Sequence, residues 1–487
     1  MIRNRIFRCL LAAALLLGLA CGCSVQTTEE EPQQDVMVIC AELRDYRNVM
    51  KGVNYYSVRY YPNAQFEMLW LPDPQVDPEG REQLIRQLRT QIMAGKGPDV
   101  FLLRGTDSLL NPSDSSEYLF EDLHKAQTAG LFYDLTTLLS DQDFAGLIPA
   151  LAEYKTNGEP LYLLPLGYLP LTVSYTSGTP DSFTQAAQST SPLLDHLPAL
   201  LNQAGDTYAS ELSGLARALP LAGGTGDLSE TIDREDFLAL LRLQKQLMQT
   251  GAAAQPGIAS LKESLTSGEP LCWTGLPLYD PFLEQASLLA AQNSEPYFSA
   301  VPNLEGGVTA MATSYVGVRA NSTHLDQARD LIQILLSEHI QTWETNFPNP
   351  GYRELSSADQ GLPVCKTALA AMLRDRNRYG PSGGFVWGEI SDATIARYED
   401  FQNSVTHITL VDRRFERYLA ICEPYFAGTQ SEELRLEALQ GEFVIYAGEC
   451  GGPAKMKLAK KSPRRKLSAG ALLLDYFSDG TRRRSRL

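Results

Sequence analysis

The stretch from Arg81 to Leu103 constrains the fold more than any other part of the chain. Leu84, Ile85, Leu88 and Ile92 recur at helical spacing with Arg and Gln opposite, so Arg81 to Ala94 reads as an amphipathic helix. Gly95-Lys-Gly-Pro-Asp99 ends it, because glycine supplies the left-handed turn after a helix and proline forbids continuation. Val100-Phe-Leu-Leu103 follows at once as a buried strand. Two more apolar runs of strand length lie upstream, Val36 to Cys40 and Phe66 to Trp70, the second closed by Pro72. A strand, a helix and a strand in this order predict a right-handed parallel crossover.

Similar signals recur along the chain. Asp233 is a suitable N-cap for a helix over Arg234 to Gln249, where Phe237, Leu240, Leu241 and Leu247 form a stripe and Gly251 ends it. Asp326 to Ser337 reads as another helix, with Ala328, Leu331, Ile332, Leu335 and Leu336 inside. Pro160 to Pro165 and Pro270 to Trp273 read as short buried strands. Alternation of helices and strands over this length predicts an α/β fold with mainly parallel sheets. With 487 residues, the chain has room for two to three domain-sized units or one large two-lobed body.

The first 24 residues carry a different message. Arg3, Arg5 and Arg8 precede a twelve-residue apolar run, Cys9 to Ala20, which leads into Cys21-Gly22-Cys23-Ser24. A positive end, a short apolar core and a small-residue exit make a secretory signal peptide. The run is too short for a membrane-spanning helix, which needs about 20 residues. The exit resembles the lipobox of bacterial lipoproteins, in which a cysteine after a small residue is lipidated and becomes the new N-terminus. Cys23, preceded by glycine, is the favoured site and Cys21, preceded by alanine, the alternative; the leucine usual three places upstream is absent from both registers. Such a diacyl-type anchor places the body at the outer face of a cell membrane. Residues 24–35, with Glu29-Glu-Glu31, form an acidic tether.

The opposite end is basic. Residues 454–487 hold eleven Lys or Arg against two Asp in a chain of net charge −16. The segment 451–487 is read as a disordered tail. Contact with anionic headgroups and a shifted reading frame are its two explanations. The acidity of the whole argues against nucleic acid as a partner. Of eight cysteines, Cys40, Cys272, Cys365, Cys422 and Cys450 remain in the body; no Cys-x-x-Cys pair suggests zinc or thiol exchange.

The segment Leu88 to Phe101, with its Gly-Lys-Gly-Pro-Asp turn, resembles the family 1 extracellular solute-binding proteins, the sugar-type receptors of ABC importers. Gly130-Leu-Phe-Tyr-Asp-Leu135, Gly158 to Pro165, Pro302 to Gly307, Ala328 to Gln341 and Ala438 to Tyr446 follow in the family's order. Together they cover residues 36 to 448 in pieces. The tyrosine-rich stretch Arg44 to Pro62 departs from the pattern and puts the usual sugar specificity in doubt. The resemblance implies a two-lobed periplasmic-binding-protein-like fold of type II, with hinge crossings and ligand held in the cleft. Residues 36–168 with 308–355 would form lobe 1, and 169–307 with 356–450 lobe 2. It also implies a monomeric receptor that needs no cofactor or metal, takes a carbohydrate or other small solute, and hands it to permease subunits.

Ligand candidates sit where strands end, since open α/β sheets bind beyond the carboxyl ends of their strands. Arg104 and Asp107 follow the strand at 100–103, and Tyr168 follows Pro165. Trp273 and Tyr279 follow the strand at 270–272, and Trp387 lies in the glycine-rich loop Gly383 to Gly388. Aromatic faces with a few polar groups suit sugar hydroxyls. A packed aromatic or a solvated charge is the competing reading for each, and Asp99 reads as a turn cap. Enzyme motifs are few: there is no His-x-x-x-His pair and no phosphate loop. The chain therefore reads as a non-enzyme; a surface ligand sensor and a carbohydrate hydrolase are the alternatives.

Overall fold

The computed structural model describes residues 36–60, 66–105, 118–175, 178–223, 234–249, 272–275, 279–342, 361–379, 388–411 and 413–449. The signal segment, the tether to residue 35, Cys21, Cys23, Asp233, Gly251 and the basic tail lie outside them.

The N-terminal unit follows the sequence pattern closely. Strand β1 (Met37–Glu42) leads into helix α1 (Leu43–Tyr60), then β2 (Phe66–Leu71), helix α2 (Pro78–Met93) and β3 (Val100–Arg104). β1 lies between β2 and β3 and runs parallel to both. Helix α2 begins three residues earlier than its apolar stripe requires. Pro78 suits the first helical turn, and the Asp77 carboxylate accepts the Gly80 N–H at 3.0 Å. At its far end Gly95 takes φ 71° and donates to the Ile92 carbonyl at 2.9 Å. Sequence reading missed helix α1, although Tyr46, Met50 and Val53 recur at helical spacing; their burial in the core of the larger sheet holds it.

Beyond this unit the chain builds β4 (Leu163–Pro170), β5 (Thr172–Tyr175), β6 (Cys272–Gly275), β7 (Tyr297–Ala300), β8 (Val308–Val318), β9 (Leu362–Pro363) and β10 (Val405–Thr409). Among the described residues, seven of the ten strands form one sheet in the order β2-β1-β3-β8-β4-β9, with β10 also paired to β8. The expectation of mainly parallel sheets is corrected here. β8 runs antiparallel to β3 and β4, and β4 antiparallel to β9; only β1–β2, β1–β3 and β8–β10 are parallel. Helix–strand alternation reports how far apart strands lie in sequence, not which distant strand becomes a neighbour. The remaining strands form an antiparallel sheet, β6-β5-β7.

The larger sheet carries two apolar clusters and the smaller sheet a third, which Leu169 and Met311 of the larger sheet also join. Helices α3 (Asp181–Ala187), α4 (Leu193–Leu212) and α5 (Arg234–Gln249) pack on the smaller sheet through Phe183, Leu193, Leu197, Leu200, Leu240, Leu243 and Leu247. Helix α6 (Tyr279–Ala290) joins β6 to β7. Helix α7 (Leu325–Leu336) buries the expected stripe, Ala328, Leu331, Ile332, Leu335 and Leu336, in the core of the larger sheet. Helices α8 (Ala368–Tyr379) and α9 (Asp392–Asn403) pack into that same core. Helices α10 (Arg413–Phe426) and α11 (Glu432–Glu449) then close a small cluster with α5 around Phe237, Tyr418 and Leu439.

The chain passes between the two sheets three times: at Leu171, between Ala300 and Val308, and after Thr409. This changes one expected boundary. Residues 362–409 were placed with the second lobe, but β9 and β10 pair with β4 and β8 in the larger sheet. The reason is β-pairing at long range, carried by short strands with little signal of their own.

Candidate ligand cleft at the strand ends

The parallel strands β1 and β3 present their carboxyl ends at one edge of the larger sheet. The end of β1 is occupied by a buried ion pair: Arg81, from the first turn of α2, bonds both Glu42 carboxylate oxygens at 2.6 and 2.9 Å and the Pro72 carbonyl at 2.9 Å. A bidentate pair of this kind is geometrically rigid. The end of β3 carries Arg104, opposite Ser314 of β8 and only 7% exposed. The Tyr46 hydroxyl of α1 donates to the Leu103 carbonyl just before it, at 3.3 Å.

Two glycines let the backbones converge beside Arg104. The Gly105 N–H donates to the Thr313 carbonyl at 2.7 Å, and a Cβ there would stand 2.4 Å from the Ala312 carbonyl oxygen. Gly361, at φ +70°, brings the start of β9 against Thr313 and the Tyr168 carbonyl; a Cβ there would lie 2.7 Å from that oxygen. Arg104, Thr313 and Gly361 therefore meet where β3 leaves the sheet, next to the middle of β8.

Tyr168 does not face this junction with its ring. It is 0% exposed and packed in the core of the larger sheet. Burial pushes its phenol pKa up, against a smaller opposing contribution from Gln402 beside the hydroxyl. The expectation that it touches solute is corrected: two register irregularities in β4, between Pro165 and Tyr168, set which face each side chain takes, and no periodicity rule foresees them.

The other candidates are reached only in part. Trp273 lies in β6, its backbone paired with Ser174, and Tyr279 opens helix α6. Asp107 and Trp387 lie outside the described residues. The residue after Trp387 is informative, however. The Gly388 N–H donates to the Ser287 carbonyl of α6 at 2.9 Å, and a Cβ on Gly388 would meet the Ala290 carbonyl carbon at 2.2 Å. The glycine-rich loop thus ends directly on the helix that Tyr279 begins.

Asp99, read as a turn cap, has a larger role. Its carboxylate accepts from the Val38 N–H (3.0 Å), Arg319 Nη2 (2.8 Å) and Ser322 Oγ (2.8 Å). Burial works against its charge, but these hydrogen bonds and the Arg319 charge win, so its pKa falls below the ordinary carboxylate value. The network joins the start of β3 to β1 and to the end of β8.

Sequence reasoning missed a cavity of about 460 Å³, bounded by β7, the turn after α3 and helix α9. Its charged residues, Arg397 and Asp400, carry no motif. Their helical spacing with Tyr398 and Phe401 was the only available signal. Among the described residues no His, Cys, Asp and Glu cluster could hold a metal ion, and no helix is long and apolar enough to cross a membrane. Cys40, Cys272, Cys365 and Cys422 are free thiols and buried.

No protein-family model matches the chain, and no curated protein matches it. Solved structures do. The chain is similar to an extracellular solute-binding protein family 1 from Alicyclobacillus acidocaldarius, at 12% identity and TM-score 0.46 over 84% of this chain and 97% of that one. It is similar to a cyclic alpha-maltosyl-1,6-maltose binding protein from Arthrobacter globiformis, at 14% identity and TM-score 0.47 over 86% and 99%. A de novo designed cysteine esterase is also similar, at 14% identity and TM-score 0.48 over 85% and 99%. None of the three reaches a TM-score of 0.5.

Proposed function

We propose that this protein is a solute-binding receptor that captures a small solute, of carbohydrate class, between its two sheet-centred halves. The carrying observation is the threefold passage of the chain between two sheets whose cores are largely, though not wholly, distinct. Repeated chain passages between two sheet-centred halves permit hinge closure, and a ligand that touches both halves favours the closed state by its differential affinity. Arg104 at the end of β3 is the residue proposed to fix the solute on one side. Trp273, Tyr279 and Trp387 are the aromatic candidates on the other. Asp107 completes the polar set. In this reading the signal segment directs export, Cys23 or Cys21 carries the lipid, and the rims of both halves meet permease subunits of an importer.

The test is a thermal-shift screen of the purified protein against sugars, oligosaccharides, peptides and amines. A ligand at about 100 times its dissociation constant adds roughly 2.7 kcal/mol of stability. An upward shift with the compound recovered unchanged, and lost on Arg104→Ala, supports capture at this site. A shift accompanied by chemical conversion refutes the receptor reading in favour of an enzyme. No shift across the library refutes small-solute capture.

A further inference from the structure

We propose that the cavity beside β7 is a second binding site, for a small organic ammonium ion. It lies along the free edge of β7, away from β6, which carries Trp273 on the opposite edge of the smaller sheet. It shares no lining residue with the candidate cleft at the end of β3. The inference does not depend on the solute-receptor reading.

The charge of its wall points to the ligand. Helix α9 carries Arg397 and Asp400 three residues apart, a spacing at which opposite charges normally pair. Here they do not. The Arg397 guanidinium turns to the Glu295 carboxylate and lies 5.8 Å from the centroid of the Tyr297 ring. Glu295 therefore neutralises Arg397, and Asp400 has no ion-pair partner among the described residues. The net charge on the wall is that of one free carboxylate.

The rest of the wall is aromatic and apolar. Phe298 and Phe401 meet edge to face at 5.1 Å, and Pro302 closes one end. About 460 Å³ falls within the roughly 300–1,000 Å³ usual for small-molecule sites. An ammonium group can pair with Asp400 while its apolar body lies against the aromatic rings, whose π faces attract cations. A carboxylate would meet uncompensated negative charge. A neutral polyol could donate hydroxyl hydrogen bonds to it but would gain no ion pair. The walls come from both halves of the molecule: β7 and the turn after α3 belong to the smaller sheet, and α9 packs on the larger.

The experiment titrates phenethylamine and its neutral isostere 2-phenylethanol into the full protein by calorimetry, with Asp400→Asn and Ser404→Trp as variants. Both positions are exposed on α9 or its end, so both variants should fold, which circular dichroism checks. The amine should bind the wild type more tightly than the alcohol does. Asp400→Asn should weaken the amine by about three- to fivefold, the size expected for one solvent-accessible ion pair, and leave the alcohol unchanged. Ser404→Trp, which fills the cavity from its rim, should abolish amine binding. Equal affinity for amine and alcohol, no effect of Asp400→Asn, or no effect of Ser404→Trp would each overturn the proposal, as would absence of amine binding at millimolar concentration.

Discussion

Replacing Asp99 with alanine should destabilise the larger-sheet half by about 3–5 kcal/mol, the usual cost of removing one partner from a buried charge network. The structure sets that figure. The Asp99 side chain is 5% exposed and accepts three hydrogen bonds, from the Val38 N–H, Arg319 Nη2 and Ser322 Oγ. Hydrogen bonds to a charged group contribute about 1.5–3 kcal/mol each, but they share one carboxylate and do not add. Arg319, 17% exposed, also keeps its bond to the Gly95 carbonyl at 3.0 Å, so its charge is only partly stranded. Urea unfolding followed by tryptophan fluorescence, to which Trp70 on this core contributes, reads the loss. With a slope of about 2.5 kcal/mol/M, the midpoint should fall by about 1–2 M. The pH dependence supplies a second reading. Because the folded pKa of Asp99 lies below its unfolded value, its contribution is present above the unfolded pKa of about 3.9 and fades as pH falls through the folded value. The gap between wild type and Asp99→Asn should therefore be constant from neutral pH to about pH 5 and shrink below pH 4. A loss under about 1 kcal/mol for Asp99→Ala, the range of an exposed pair, would refute the view of Asp99 as the tie between β1, β3 and β8.

Glu42→Ala should cost a similar amount, about 3–5 kcal/mol, because it strands the buried Arg81 charge, whereas Glu42→Leu with Arg81→Met should recover most of it; denaturant midpoints of the three proteins check this. Gly105→Ala should lower stability by about 1–3 kcal/mol, since its Cβ meets the backbone oxygen of Ala312 rather than a movable side chain, and a melting curve reads it. His196 is buried on α4, and desolvation pulls its pKa from 6.5 down to about 4, only partly opposed by a backbone contact at Ser189. The unfolded chain then binds the extra proton between those values, so stability falls as pH drops from 6.5 to 4, and His196→Phe should flatten that slope in acid-unfolding curves.

Much of the local structure was legible before any coordinates. The helix at Arg234 starts and ends where its stripe and flanks place it, and the stripes of α2 and α7 are the buried faces. These signals are local: periodicity, caps and glycine stops act over one or two turns. The candidate site was less legible. The strand-end rule pointed to Arg104 and Tyr168 alike, and both are buried. Burial of a β4 side chain depends on its register with β8 and β9, about 145 to 195 residues away.

The sequence by itself determined the composition of the body as alternating strands and helices and the turn that ends α2. Tertiary structure alone decided that β8 slots antiparallel between β3 and β4, and that residues 362–409 join the larger sheet. It also decided that Arg397 leaves Asp400 unpaired by reaching Glu295, a residue 102 positions away. The physical reason is the same in each case. Backbone preferences and caps are set by neighbours in sequence, whereas strand order, side-chain burial and charge pairing are set by which distant surfaces exclude water from one another.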